Sequence, residues 1–330
     1  MKKGQQRFIY FLNRLQALLT KAAKQKNPSL WLYRNNARTP LFMLEGLAKM
    51  YACMHNKKKF TKLKEHFKLL EDGLGAIDYY DALAKDLATN KNIPAAVIGY
   101  LQAECREKIQ SLNEILVEEK WIGSSESRID KMQQKLASAN WMEEAAEIKG
   151  IQEFYGEAIY SIVEFTQQTN YHFDNIEAGV HELRRKLRWL SIYPQALKGC
   201  VQLAKQKTTV KHLAKYCTKE IISSPFNKMP DAADNKYLLL FDQTYYYSLS
   251  WMIAALGKIK DSGLHVIAVK EALQASAAVS DAAAYKKAYQ LLGAKQIKIP
   301  ALLNNAGTFT KNYFTEQNLE HLVLGTRTVK

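Results

Sequence analysis

The sequence predicts an all-α fold. Apolar residues recur at intervals of three and four along nearly the whole chain, and no segment of any length alternates apolar and polar as a half-buried strand does. Seven prolines and fifteen glycines in 330 residues fall mostly between these periodic segments. The hydrophobic share, 47%, is ample for a packed core, so disorder is excluded as the general state.

The first predicted helix, with Phe8, Phe11, Leu12, Leu15, Leu18 and Leu19 on one side, ends near Lys26 because the residue before Pro28 avoids helical geometry. A second lies within 30–54. A third, in KFTKLKEHFKLLEDGLG, is expected to stop at Gly73 or Gly75, and a fourth holds AIDYYDALAKDLA. Pro94 opens a helix to about Trp121, and Gly123-Ser124-Ser125 breaks it. Residues 126–169 read as one long helix or two joined near Gly150. The next helix is ended or kinked at Pro194. Residues 208–222 form a short basic helix, and SSPFNKMPDAADN is the clearest loop. Helices follow at about 236–260, 263–276 and 280–293, with a short one near Glu316 to Leu324.

Charge is the unusual property. Lys and Arg number 47 against 32 Asp and Glu, a formal +15, which selects for polyanionic partners. Cys53, Cys105, Cys200 and Cys217 form no C-x-x-C pair, which argues against zinc or a disulfide framework and suits a reducing compartment. The opening segment begins like a secretion signal, but Asn13 and Arg14 interrupt its apolar run and no small-residue cleavage site follows. No stretch approaches a membrane span of about 20 apolar residues. A cytoplasmic protein with no membrane partner is expected.

The cations are densest in GVHELRRKLRWLSIYP, residues 179–194. At about 100° per residue, His181, Arg184, Arg185 and Arg188 share an arc of about 100°. Ile176, Val180, Leu183, Leu187 and Leu190 occupy the adjoining arc, so the basic stripe borders the buried face and is placed to line a groove. Arginine suits phosphate because its planar fork donates two hydrogen bonds at once. The alternative is that carboxylates elsewhere pair these residues, or that they are simply solvated. Lys211, His212 and Lys215, with Lys219 a turn on, form a second wall for an anion or an exposed solubilising face. The lysines of HNKKKFTKLKEHFK surround much of their helix, so some face water.

Other chemistry is missing from the sequence. There is no Glu-x-x-His pair, no phosphate-binding glycine loop, and HELRR has Arg185 where a zinc-binding second histidine would stand. Glu143, Glu144 and Glu147 read as a solvated face. Tyr245 to Tyr247 could stack bases but read as helix packing. His55, His66, His172, His265 and His321 receive no role. No enzyme, metal or cofactor is expected.

A pattern occurs twice: a basic helix followed later by Leu-Gly and an acid. Arg34 and Arg38 precede LGAIDYYD, and His181, Arg184 and Arg188 precede LGKIKDSG. VHELRRKLR followed by LGKIKD resembles the CHAD family, the conserved-histidine α-helical domains. His181, Arg184 and Arg188 match its His-x-x-Arg-x-x-x-basic helix, and Leu256, Gly257 and Asp261 its later element. In the first copy Arg34 and Arg38 fit the basic positions, Trp31 stands in place of histidine, and Tyr79 replaces the acid, with Asp81 two residues on. The resemblance implies two four-helix-bundle-like halves, residues 1–170 and 171–330, about a pseudo-twofold, with a basic groove that binds inorganic polyphosphate. The Glu-x-Glu-x-Lys motif of the triphosphate tunnel domain that often accompanies the family is missing from this sequence.

The expected function is therefore non-enzymatic binding of polyphosphate or a similar polyanion. His181, Arg184, Arg188, Arg34 and Arg38 would contact phosphate, Arg185 joins them on helix geometry, and Lys211 and Lys215 are outer candidates. His181 would add pH sensitivity. The alternatives are an RNA- or DNA-binding helical protein and a helical scaffold for an acidic protein partner.

Overall fold

A computed structural model describes residues 1–124, 127–206, 211–232 and 234–329. It is mostly helical, as expected. The helices are α1 (Lys3–Ala22), α2 (Pro28–Arg34), α3 (Arg38–Met54), α4 (Lys57–Ala88), α5 (Ala95–Glu118), α6 (Arg128–Ala137), α7 (Glu144–Gln168), α8 (Glu182–Ala196), α9 (Lys219–Ser223), α10 (Gln243–Ser276), α11 (Asp281–Leu292) and α12 (Ile299–Thr315). A π-helical turn, Ile176–His181, leads into α8, and 3-10 turns cover Lys211–Tyr216 and Pro225–Asn227. No described helix is long and apolar enough to cross a membrane.

The helix ends follow local chemistry. The Asn27 side chain accepts from Leu30 N, with Pro28 at the first helical position of α2, and Asn56 caps α4 through Lys59 N. The single helix expected within 30–54 is instead split, because Asn36 takes a left-handed φ of 55° between α2 and α3. Conversely, α4 runs straight through Gly73 and Gly75, and α10 through Gly263. These glycines provide close approach, not termination. A Cβ at Gly73 would lie 2.7 Å from Leu112 Cδ1, and one at Gly263 would lie 2.8 Å from Ile176 Cγ1. The break expected near Gly150 falls at 138–143, and Gly150 packs on Met54. Pro194 leaves α8 intact to Ala196. Lacking an N–H, it frees the Leu190 carbonyl, which accepts the Tyr155 hydroxyl at 3.5 Å.

Three short strands were not expected. β1 (Val201–Ala204) pairs parallel with β2 (Tyr237–Asp242), and β2 antiparallel with β3 (Val323–Thr328), so β2 is central. β2 reads YLLLFD and is buried on both faces, so it never alternates. It replaces the start of the helix expected from 236, and the short helix expected near 316–324 is not formed: α12 ends at Thr315, a turn follows, and β3 begins at Val323. α10 begins only after Asp242, which caps Thr244 N and Tyr245 N. Of the basic helix expected over 208–222, residues 208–210 lie outside the described part. The remainder is a 3-10 turn and the five-residue α9. Tyr246 is fully buried and Tyr245 nearly so, as helix packing requires.

One hydrophobic core runs from Phe8 to Leu322, so residues before and after position 170 share it. A smaller cluster joins Leu83, Leu87 and Leu101 of α4 and α5 to Val266, Val269 and Ala288 of α10 and α11. A buried ion pair crosses the large core. Arg7 and Glu147, 3% and 2% exposed, meet at 2.8 Å. Tyr51 donates to the same carboxylate, and Arg7 also donates to Asn235 Oδ1 at 3.2 Å. Glu144 accepts Lys236 N at 2.6 Å, and Glu143 pairs with Lys2. Of the acidic face read as solvated, two of the three carboxylates are thus structural ties and only Glu143 remains open to water. Removing one partner of a buried pair strands the other charge. Arg7→Ala should therefore lose about 3–5 kcal/mol in denaturant unfolding, and the double variant Arg7→Met/Glu147→Leu should lose less than Arg7→Ala alone.

Candidate anion-binding seam

Two of the expected site residues, Arg38 and Arg188, meet over one face of α3. At about 100° per residue, Arg38, Phe42, Glu45 and Lys49 fall within an arc of about 60°, and Tyr51 lies on the opposite side. This face lies between α4 and α8. Arg38 reaches α4, donating through Nε to Glu71 at 3.0 Å and through Nη1 to Asp78 at 2.7 Å. Phe42 lies beneath α8, with the Arg188 guanidinium carbon 4.6 Å from its ring centroid and Trp189 edge-on at 6.0 Å. Gly46 gives room for Trp189 and Tyr193, and Lys49 Nζ sits 5.5 Å from the Trp189 ring.

α8 is positioned as its sequence requires. Ile176, Val180, Leu183, Leu187 and Leu190 are all at most 1% exposed, which leaves the basic stripe at the border of the core. The stripe divides by pairing. His181 Nδ1 is 2.8 Å from Glu177, and Arg185 is 2.6 Å from Glu182. The hydrogen bond from His181, more than any other cause, holds the Glu177 carboxyl below the usual range. Arg184 and Arg188 are different. Both are half-buried, and neither forms an ion pair with any described carboxylate. Burial lowers the pKa of both guanidinium groups. For Arg188 the positive charges of Arg184 and Arg38 lower it further, while Glu71 and Asp78 act the other way on Arg188 and Asp261 on Arg184. Arg184 Nε donates only to the Ile253 carbonyl of α10, at 3.3 Å.

The two Leu-Gly pairs share one feature. A Cβ at Gly257 would lie 3.0 Å from Arg184 Nε, and one at Gly75 would lie 3.1 Å from Arg38 Nη2. Each glycine thus gives room for one arginine. Arg34, matched by sequence to Arg184, ends α2 and is exposed, near an Asp81 carboxylate already holding Tyr33 at 2.7 Å and Lys85 at 2.6 Å.

Lys211 and Lys215 do not join the seam. They lie on the 3-10 turn beside α10, both exposed, and Lys215 pairs with Glu316 beyond α12. Sequence reading missed Lys49. Burial first, and then the positive charge of Lys186, lower its pKa, with Lys64 and Arg185 acting the same way and Glu45 the other. Lys49 as a whole is exposed, so water keeps it a cation. Only its position one helical repeat from Phe42 could have revealed it. The seam is open. The cavity of about 320 Å³ at the ends of β1 and β2, lined by Asp242, Tyr245 and His321, contains none of these arginines. Nor does the cavity of about 550 Å³ between α1 and the α2–α3 turn. All four cysteines are free, and no described cluster of His, Cys, Asp or Glu could hold a metal.

The pairing predicts opposite responses to arginine removal. Arg188→Met should leave unfolding free energy unchanged or raise it by up to about 1 kcal/mol, because a half-buried unpaired cation is lost. Arg38→Met, which strands the buried Glu71 carboxylate, should cost about 2 kcal/mol in the same denaturant titration. No protein-family model, no curated protein and no solved structure matches this chain.

Proposed function

We propose that the protein is a non-enzymatic polyanion-binding module, with inorganic polyphosphate as the favoured ligand and the α3–α4–α8 seam as its site. One observation carries this reading: Arg184 and Arg188 sit half-buried, one helical turn apart, and neither forms an ion pair with any described carboxylate. Two desolvated like charges disfavour the ligand-free protein, and an anion supplied from outside relieves both the repulsion and the lost hydration. A guanidinium fork meets two oxygens of one phosphate group, and a chain of phosphates extends the contact to the next cation. Arg185, Lys186, Lys49 and Lys64 provide that extension, and His181 and Arg38 border it through pairs a stronger anion can share. The resemblance to the CHAD family supports polyphosphate over other polyanions, while nucleic acid is the competitor that a +15 surface also attracts.

The test compares long-chain polyphosphate with single- and double-stranded nucleic acid at two salt concentrations. Wild type should bind polyphosphate with a clear preference, and Arg184→Ala/Arg188→Ala should weaken it by roughly 100-fold, the value of two charge-assisted contacts. Replacing the exposed Lys57 and Lys58 by alanine should instead weaken every polymer alike and only modestly, with a shallower salt dependence. Equal binding of every polymer, indifferent to Arg184 and Arg188, would replace this site by a generic surface field.

A further inference from the structure

The seam contains a carboxyl group, whose charge an anion site ordinarily excludes. Glu45 lies on the same face of α3 as Arg38, Phe42 and Lys49, yet it is 6% exposed and its Oε2 has no hydrogen-bond partner. From α4 it faces Lys68, Glu71 and Asp72, from α8 it faces Tyr193, and on its own helix Lys49. The charges that α1 and α7 bring to α3, Arg7 and Glu147, are engaged with each other and with Tyr51 on the far side. The neighbouring charges are already committed: Glu71 to Arg38, and Lys68 to Asp72 at 2.6 Å. An ionised Glu45 would therefore be a dehydrated carboxylate with an unsatisfied oxygen beside a second carboxylate. Protonation removes that cost. Burial, and then the charge of Glu71, push the Glu45 carboxyl up to about 7.

We propose that Glu45 is a proton-operated switch beneath the polyanion site, raising affinity when its carboxyl is neutral and lowering it when ionised. The proposal deepens the polyanion function and rests on it. With the carboxyl neutral, Lys49, the cation of the site that Glu45 acts on, presents its full charge to a ligand. Ionisation places one negative charge beside Lys49 and next to Glu71. By linkage, a bound polyanion draws a proton onto Glu45. Affinity is thus higher below about pH 7 than above it. In the ligand-free protein the sign follows from a folded-state value raised above the ordinary carboxyl value. The stability Glu45 contributes is complete below about pH 4.3 in the unfolded reference, and is lost as pH rises through the folded value.

The experiment measures long-chain polyphosphate binding at pH 6 and pH 8, at one ionic strength, for wild type, Glu45→Gln and His181→Ala. Wild type should bind on the order of tenfold more weakly at pH 8, the effect of one buried charge near the ligand. Glu45→Gln should lose most of that difference, and His181→Ala, whatever its affinity, should keep the ratio. Without ligand, Glu45→Gln should melt above wild type at pH 8 but not at pH 5. A pH ratio unchanged by Glu45→Gln, or one abolished only by His181→Ala, overturns the switch and leaves the polyanion site standing. No polyphosphate binding at either pH overturns the polyanion function and the switch with it.

Discussion

The buried contact of Arg7 with Glu147 is the constraint on which the site depends. It lies almost entirely out of water, receives the Tyr51 hydroxyl, and reaches Asn235 just before β2. Four parts of the chain, α1, α3, α7 and the approach to the central strand, are fixed at one point. Tyr51 is the α3 contribution, and it projects opposite Phe42. The clamp therefore fixes the rotation of α3 about its own axis. That rotation turns Arg38, Phe42, Glu45 and Lys49 toward the seam between α4 and α8. A carboxylate accepting two charged or hydroxyl donors in a dry interior holds its geometry more tightly than apolar packing does, because any displacement leaves a charge unpaired.

On the opposite side of α3 the electrostatics are deliberately incomplete in effect. Arg38 is satisfied by Glu71 and Asp78, and Arg185 and His181 by acids on their own helix turn. Arg184 and Arg188 are left with a backbone carbonyl and an aromatic face. A ring face attracts a cation by about 0.5–2 kcal/mol, less than a carboxylate gives in the same surroundings, so Phe42 orients Arg188 without neutralising it. Gly257 permits the matching approach of Arg184 to α10. Glu45, buried on the same face of α3 as Phe42, has one oxygen unmatched.

The mapping of sequence onto structure divides along the range of the forces involved. The apolar stripe of Ile176, Val180, Leu183, Leu187 and Leu190 was legible, because a helix places residues three and four apart on one side whatever surrounds it. The caps at Asn27 and Asn56 are local in the same sense. β2 was not legible, since YLLLFD is covered on both faces and its apolar run carries no period. Gly73, Gly75 and Gly263 resemble helix stops in sequence, and only the approach of Leu112, Arg38 and Ile176 shows them to be contact points. Glu147 was read as one of a solvated trio until an arginine 140 positions away in the chain met it in the core.

By itself the sequence determined the helical class, the basic excess and the stripe of cations bordering a buried face, all properties of composition or of neighbours within two turns. Tertiary structure decided which of those cations are neutralised. His181, Arg185 and Arg184 share one helix and one stripe, yet the first two meet acids from their own turns, whereas Arg184 meets the bare backbone of α10. It also brought Lys49 to Trp189 and enclosed Glu45. The reason is that Coulomb and desolvation energies depend on distance through space and on access to water. Neither is set until α3, α4 and α8 are packed together.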